Sequence, residues 1–408
     1  MVGMDDVTTP PPTRHPGTIA SVFWAFLRLG LTSFGGPVAH LGYFRDAFVA
    51  RRKWLSDRDY ADLVALCQFL PGPASSQVGM AIGLQRAGIG GLVAAWLGFT
   101  MPSAIVLVAV AFGVASLGDA AGVGWLAGLK AAAVAVVAQA VIAMAKSLTP
   151  DARRATIAGA AMIVLLLVPH PAVQVAVIVG GGVAGLLCLR GGVPDESTRT
   201  TFAVPTSARA GVAALAGFVL LLVLLPVAVA LTGDPTIRLI DVFYRAGSLV
   251  FGGGHVVLPL LEAEVVQTGL VDQATFLAGY GAAQAVPGPL FTFAAFLGAS
   301  ATSGPTGLVG AGVALLAVFL PGALLVIGVL PFWATLRNSR LAQQALLGVN
   351  AAVVGVLAAA LYDPMFTHGI TSPGTLALAV AIFIAQTKWN LPAWAAVIAA
   401  GAIGLLVL

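Results

Sequence analysis

From Gln273 to Leu336 the chain carries no Asp, Glu, Lys, Arg or His, and the same is true of Gly91–Gly118, Ala210–Gly233 and Leu341–Tyr362. Each run reaches or exceeds the roughly 20 residues that a helix needs to cross a bilayer. A helix resting on a soluble core would show a polar face, and these runs show none. Only 9% of the 408 residues are charged, against roughly 25% in soluble proteins. The chain therefore reads as an all-α, polytopic integral membrane protein. Its formal net charge of +4 does not point to nucleic acid. The basic residues sit in short segments between apolar runs, where they set orientation in the membrane. Cys67 and Cys188 lie within or at the edge of apolar segments and read as small hydrophobes, with no disulfide framework.

About 10–13 segments are apolar enough to enter the membrane. A polar, proline-rich tail (1–17) precedes a first half at 18–190. A polar linker (191–208) holding Asp195 and Glu196 leads to a second half at 209–408. The tail lacks the pattern of a cleavable signal peptide, so the first apolar helix is expected to act as the insertion signal.

The halves repeat. Phe26, Arg28 and Gly30 match Phe243, Arg245 and Gly247, all 217 positions on, and Phe34-Gly35-Gly36 matches Phe251-Gly252-Gly253. Gln68 and Pro71-Gly72-Pro73 recur as Gln284 and Pro287-Gly288-Pro289. Pro102 aligns with Pro321, and Gly128-Leu129-Lys130 with Gly348-Val349-Asn350. Equivalent loops differ in charge. Arg45, Arg51, Arg52, Lys53 and Arg58 crowd the first loop, whereas its counterpart holds Glu262, Glu264 and Asp272 and no cation. Under the positive-inside rule, opposite bias at equivalent loops is the signature of inverted repeats, a recurring plan of secondary transporters.

Each half interrupts two apolar segments, 20–44 and 61–83 in the first, 236–261 and 275–300 in the second. One break is glycine-rich, Ser33-Phe34-Gly35-Gly36-Pro37 and Phe251-Gly252-Gly253-Gly254-His255. The other is Pro71-Gly72-Pro73-Ala74-Ser75-Ser76 and Pro287-Gly288-Pro289-Leu290-Phe291-Thr292. Proline removes a helical donor and clashes with the preceding turn, and glycine admits close approach of backbone to a ligand. Irregular backbone at membrane depth is tolerated where it is buried in protein or lines a cavity, so these segments are expected to be broken or re-entrant. A new helix N-terminus there would offer N–H groups and a positive dipole end to an anion, with Ser75, Ser76 and Thr292 as further donors. Tight helix packing through small residues is the alternative.

Arg28 and Arg245 stand a few residues before the glycine breaks. A guanidinium presents a planar fork to a tetrahedral oxyanion, which would offset the cost of a charge in the membrane. Snorkelling to the interface is the alternative. Lys130, with Asn350 as its counterpart, offers a second cationic contact or a proton-coupling group. Glu262 and Glu264, after Pro259, are candidate proton carriers or a solvated loop edge. His40 and His255 flank the glycine breaks as coupling groups or polar packing. Gln68 and Gln284 precede the Pro-Gly-Pro motifs and are placed to bond substrate or freed carbonyls. No metal-ligand spacing, P-loop or nucleophile–base pattern is found, so no cofactor and no enzymatic activity are expected.

Phe26 to Leu41, Gln68 to Ala74 and Phe251 to Glu262 together resemble the motifs of the chromate ion transporter family, in its long two-domain form. The resemblance covers nearly the whole chain. It implies a multi-pass protein of the bacterial inner membrane that exports chromate from the cytoplasm and confers resistance, driven by the proton gradient. It marks Arg28, Phe34, Gly35, Gly36, Pro37, His40, Pro71, Gly72, Pro73, Gly252, Gly253, Gly254, His255, Glu262, Pro287, Gly288 and Pro289 as motif positions. Sulfate has the same charge and nearly the same shape as chromate, so sulfate transport stays open. The expected partners are a small inorganic oxyanion, the lipid bilayer and, as a homodimer, a second copy of the chain, with no nucleic acid. A non-transporting scaffold or an intramembrane enzyme are the readings from other classes. Duplicated broken helices speak against the first, and the missing catalytic patterns against the second.

Overall fold

The computed structural model describes residues 17–121, 123–168, 170–189, 207–251, 257–336 and 339–407, and every regular element among them is helical. Nearly all of the expected tail and of the expected linker lies outside the described residues, as do Gly252, Gly253, Gly254 and His255.

Helix α1 (Ile19–Thr32) opens on a capping box between Thr18 and Ser21 and stops at Ser33. The chain turns at Gly35 into α2 (Gly36–Phe44), extended by a π-helical turn (Arg45–Arg51). Phe26 and Phe44 would be roughly 27 Å apart along one straight helix. Their ring centroids are 5.5 Å apart, edge to face, and Phe26 meets Phe48 at 4.8 Å. The segment at 20–44 is therefore a re-entrant hairpin, not a span.

The next hairpin repeats the plan. Helix α3 (Asp57–Phe69), capped by Ser56, runs to Pro71-Gly72-Pro73, and α4 (Ala74–Ala121) starts back. Its open end is closed by Arg86 stacked over Trp54 at 4.7 Å and by the Gly17 amide donating to the Arg86 carbonyl at 2.9 Å. α4 then doubles back at Gly88, bringing Gly83 against Gly91 so tightly that a Cβ on either would overlap the other's carbonyl. Its remaining arm crosses the molecule. Three further helices, α5 (Val123–Leu148), α6 (Ala152–Leu167) and α7 (Pro171–Cys188), complete the first half.

Helix α8 (Ala208–Thr232) lies on the outside of the bundle, its most apolar 18-residue stretch wholly unburied, and carries the chain to the opposite face. There Asp234 caps α9 (Pro235–Leu249), accepting from the amides of Thr236 and Ile237 at 2.7 and 3.0 Å. Two hairpins follow. They comprise α9 with α10 (Val257–Val265), then α11 (Gln273–Ala285) with a 3₁₀ turn (Leu290–Thr292) and α12 (Phe293–Ala299). Their open ends meet where the Thr302 amide donates to Leu270 at 2.9 Å. The crossing helix α13 (Gly307–Val329) then runs through a 3₁₀ turn into α14 (Trp333–Leu336). The chain closes with α15 (Arg340–Ala360), a π-helical turn (Leu361–Phe366), α16 (Thr367–Gly369), α17 (Pro373–Lys388) and α18 (Ala393–Val407).

The crossing arm of α4 and its repeat equivalent α13 are antiparallel. Trp96 meets Phe319 at 5.9 Å, whereas Phe112 lies beside Gly307. Equivalent helices of opposite direction make the halves inverted repeats. The outer helices exchange partners between halves: Gly128 of α5 packs on Ala400 and Gly404 of α18, and the equivalent Gly348 of α15 packs on Gly181 and Gly185 of α7. Small residues at these crossings let backbones touch where lipid offers no hydrophobic drive for association. Among the described residues five apolar helical runs of 25 residues or more are long enough to cross a membrane; the first, Ala74–Val114, contains the Gly88 turn.

Candidate functional site

The Pro-Gly-Pro tip of each half is bonded to the glycine-break hairpin of the other. The Gly72 amide, in the first half, donates to the Val250 carbonyl of the second at 2.7 Å. The Gly288 amide, in the second half, donates to the Ser33 carbonyl of the first at 2.9 Å. Gly72 and Gly288 are repeat equivalents, as are Ser33 and Val250. Both glycines hold positive φ, 117° and 102°, which favours glycine. Each Pro-Gly-Pro tip also lies against the crossing helix of the other half: Gly288 faces Phe99 and Ser103 of α4, and Pro73 faces Gly322 of α13.

The tips turn helix N-termini inward. α2 begins at Gly35 and Gly36 without a side-chain cap, α4 begins behind Pro73, and the helical run Leu290–Ala299 begins behind Pro289, also uncapped. Each brings unpaired N–H groups and the positive end of its dipole to the middle. Ser33, Ser76 and Thr100 are almost wholly buried, and their hydroxyl oxygens have no hydrogen-bond partner among the described residues. Such groups cost free energy unless something binds them. Other polar side chains are already used. Gln77 Nε2 donates to the Pro71 carbonyl at 2.8 Å, Thr292 Oγ1 to Pro289 at 2.7 Å and Ser103 Oγ to Thr100 at 3.0 Å. His40 is fully buried against Phe99, with Nε2 3.2 Å from the Ser33 carbonyl and Nδ1 3.4 Å from Ser75 Oγ. It ties the two first-half hairpins together at their tips.

Among the described residues the cover of the two glycine-break hairpins is one-sided, with α2 open and α10 closed. Tyr43 of α2 is 42% exposed, Gly42 is exposed, and a Cβ on Gly36 or Gly42 would meet nothing within 4 Å. On α10 the equivalent Pro259 and Leu260 are buried. α10 is packed on α7 and α15, while α2 packs mainly on α4 and its own π-turn.

The arginines, paired by the repeat, have different surroundings. Arg245 gives two parallel bonds to Glu264, Nη1–Oε1 2.8 Å and Nη2–Oε2 3.1 Å, and a third to Asp241 at 2.7 Å. Arg28 lies on the exposed face of α1 with Trp24 and Leu31, opposite the buried face of Val22, Phe26 and Leu29. The physical reason is local. Trp24 and Ala47 stand where Asp241 and Glu264 would be in the first half. The structure thus does not bring the two guanidinium groups together at the tips.

Phe34 is half-buried, 5.3 Å from the Trp394 ring. Pro71 and Pro287 are half-buried at the tips. Gln68 is exposed, whereas Gln284 is half-buried with Nε2 unpaired. Lys130 and Asn350 are half-buried on α5 and α15, Lys130 within the field of Asp272. Glu262 lines a separate cavity of about 200 Å³ with Asp363, His170 and Gln174. Sequence reasoning passed over Ser33 Oγ, Thr100, Ser103, Gln77 and Asp241. Thr100 and Ser103 flank Pro102, a repeat position, and that adjacency was the available signal.

No solved structure matches the chain. An uncharacterized transporter of Methanocaldococcus jannaschii is 26% identical over 85% of this chain and 84% of its own length. A chromate transport protein of Cupriavidus metallidurans is 25% identical over 86% of each chain. A chromate transport protein of Pseudomonas aeruginosa is 30% identical over 98% of this chain and 95% of its own. The sequence model of the family described as chromate transporter matches twice, over residues 20–186 and 237–405, once in each inverted half. With its duplicated halves, crossed tips and matching relatives, the chain belongs to the chromate transporter family.

Proposed function

We propose that the protein exports chromate from the cytoplasm by alternating access, with the anion held at the crossed tips. The observation that carries this reading is the convergence of three inward-turned helix N-termini on buried, unpartnered hydroxyls at Ser33, Ser76 and Thr100. A dianion has four oxygens to satisfy and no proton to give, so a cradle of amide and hydroxyl donors matches it. The cost of leaving those hydroxyls unpaired is then removed by substrate.

Orientation follows from charge. The open ends of the first-half hairpins carry Arg45, Arg51, Arg52, Lys53, Arg58 and Arg86. The positive-inside rule puts that face in the cytoplasm. The exposed face of α2 opens the same way, so the conformation is the inward-facing one; its rim is only partly basic, because Asp57 and Asp46 pair with Arg45 and Arg51. Export against a gradient requires an energy source, and the proton gradient supplies it. Resistance to chromate follows. Amide and hydroxyl donors serve sulfate equally well, which makes sulfate the competitor that matters.

The test is uptake of radiolabelled chromate into everted vesicles containing the protein, with an imposed proton gradient and excess unlabelled sulfate. Gradient-dependent accumulation that sulfate barely reduces is the expected result. No accumulation, or accumulation erased by sulfate, would assign the tips to a different anion.

A further inference from the structure

The cavity beside α10 lies away from the tips. Its lining joins Glu262 of α10, Asp363 of the π-helical turn after α15, and His170 and Gln174 at the start of α7. Among the described residues the lining holds no lysine or arginine. Arg245, the guanidinium of the same hairpin, is taken by Glu264 and Asp241 and does not serve these two carboxylates, whose neighbouring bases are His170 and His368. One Asp363 oxygen accepts from Thr367 Oγ1 at 2.8 Å, with His368 Nδ1 at 3.9 Å. Tyr362 is the remaining titratable group in the wall. Gln174 adds an independent sign that something binds here: it is 5% exposed, and its Nε2 has no hydrogen-bond partner.

Asp363 is exposed at the mouth and Glu262 is half-buried, so the negative charge of Asp363 and the loss of water together make an ionised Glu262 costly, and a proton on Glu262 removes that cost. The cavity also joins separate elements, because Glu262 rides on α10 and Asp363 on the turn that follows α15. We propose that this cavity is the coupling-proton site of the carrier, with Glu262 as the carboxyl that takes up and releases the proton and Asp363 as the neighbouring charge that favours its uptake. The inference rests on the transport reading above and names where its driving ion binds. In the step itself a proton passes from water to a carboxylate oxygen and later returns to water.

The experiment uses the full chain in proteoliposomes, comparing wild type with Glu262→Gln and Asp363→Asn. A carrier coupled to one proton accumulates substrate about tenfold per pH unit of gradient. With one unit imposed, wild type should reach that ratio with chromate, Glu262→Gln should fall to equilibrium and Asp363→Asn should fall short of wild type, both keeping chromate counterflow at symmetric pH. Unchanged accumulation in both variants, or loss of counterflow together with accumulation in both, would overturn the proposal. A substrate-free readout separates this from the transport reading. Infrared difference spectra should show a protonated-carboxyl band that titrates in wild type and is missing from Glu262→Gln. Wild type without chromate counterflow but with that band would sink the chromate reading alone. A band unaffected by both substitutions would sink the proton site alone.

Discussion

Gly72 donates its amide to the carbonyl of Val250 at 2.7 Å, and the bond is mirrored by Gly288 and Ser33 at 2.9 Å. Each half thus completes the helix break of the other, at the depth where an unpaired backbone group has no water to turn to.

The two glycines should respond unequally to a methyl group. Left-handed backbone costs a non-glycine residue about 1–2 kcal/mol at either site. At Gly288 the new Cβ would also lie 2.8 Å from Ser103 Oγ and 3.2 Å from the Phe99 carbonyl, whereas at Gly72 its nearest neighbour is the movable Gln77 amide at 3.0 Å. Gly288→Ala is expected to lower the melting temperature more than Gly72→Ala, and Ser103→Ala to restore part of that loss. Equal melting temperatures would mean that the tips are not held as described.

Removing the spare hydroxyls should weaken substrate binding without weakening the protein. Ser76→Ala and Thr100→Val delete groups with no partner in the fold. A hydrogen bond to a charged ligand is worth about 1.5 kcal/mol or more, roughly tenfold in KM. Transport kinetics should show that rise, and thermal unfolding should stay at the wild-type value. Lowered stability with unchanged KM would make these residues packing elements.

Arg28 and Arg245 should separate by their effect on folding. Arg245→Gln strands Asp241 and Glu264, whose side chains are 4% and 18% exposed, and breaking such a pair costs about 3 kcal/mol. Membrane abundance should drop, and adding Asp241→Asn and Glu264→Gln should recover it. Arg28→Gln should leave abundance intact. The comparison is read from immunoblots of membrane fractions.

One-sided access predicts one-sided labelling. In a Cys188→Ser background, which removes the exposed native thiol, Tyr43→Cys should react with an impermeant maleimide added from the basic face. Leu260→Cys should stay protected from either face in the resting protein. Equal reactivity of the two would contradict the closed packing of α10.

Acid should loosen the α9 cap. The amides of Ile237 and Thr236 hold the Asp234 carboxyl below the ordinary carboxylate range. Its contribution is complete above the unfolded carboxylate value and is lost as pH falls through the lowered native one. The melting-temperature gap between wild type and Asp234→Ala should therefore narrow on acidification; a gap constant with pH would assign the cap another role.

The charge-free runs and the ordered Gly, Pro and Arg matches made the helical, duplicated and inverted plan legible, because membrane burial and loop charge leave marks along the chain. The breaks at Ser33–Gly36 and Pro71–Pro73 were legible as breaks, since proline and glycine act locally. Their crossed bonding was not, because Gly72 and Val250 are joined only by folding. Arg245 misled for the same reason. Its repeat partner Arg28 suggested a shared task, while the carboxylates that occupy it, Asp241 and Glu264, have Trp24 and Ala47 as counterparts and fall outside the repeat signal.

The crossed tips also constrain biogenesis. Synthesis delivers Ser33 and Gly72 long before the ribosome reaches Val250 and Gly288, so the first half must wait in the bilayer with the Gly72 amide unsealed and the Ser33 carbonyl held only by His40. Helix α8 enters the membrane in that interval, and only its crossing lets the second half insert upside down. A nascent chain stalled before α9 would carry that bare amide in hydrocarbon, with no water to quench it.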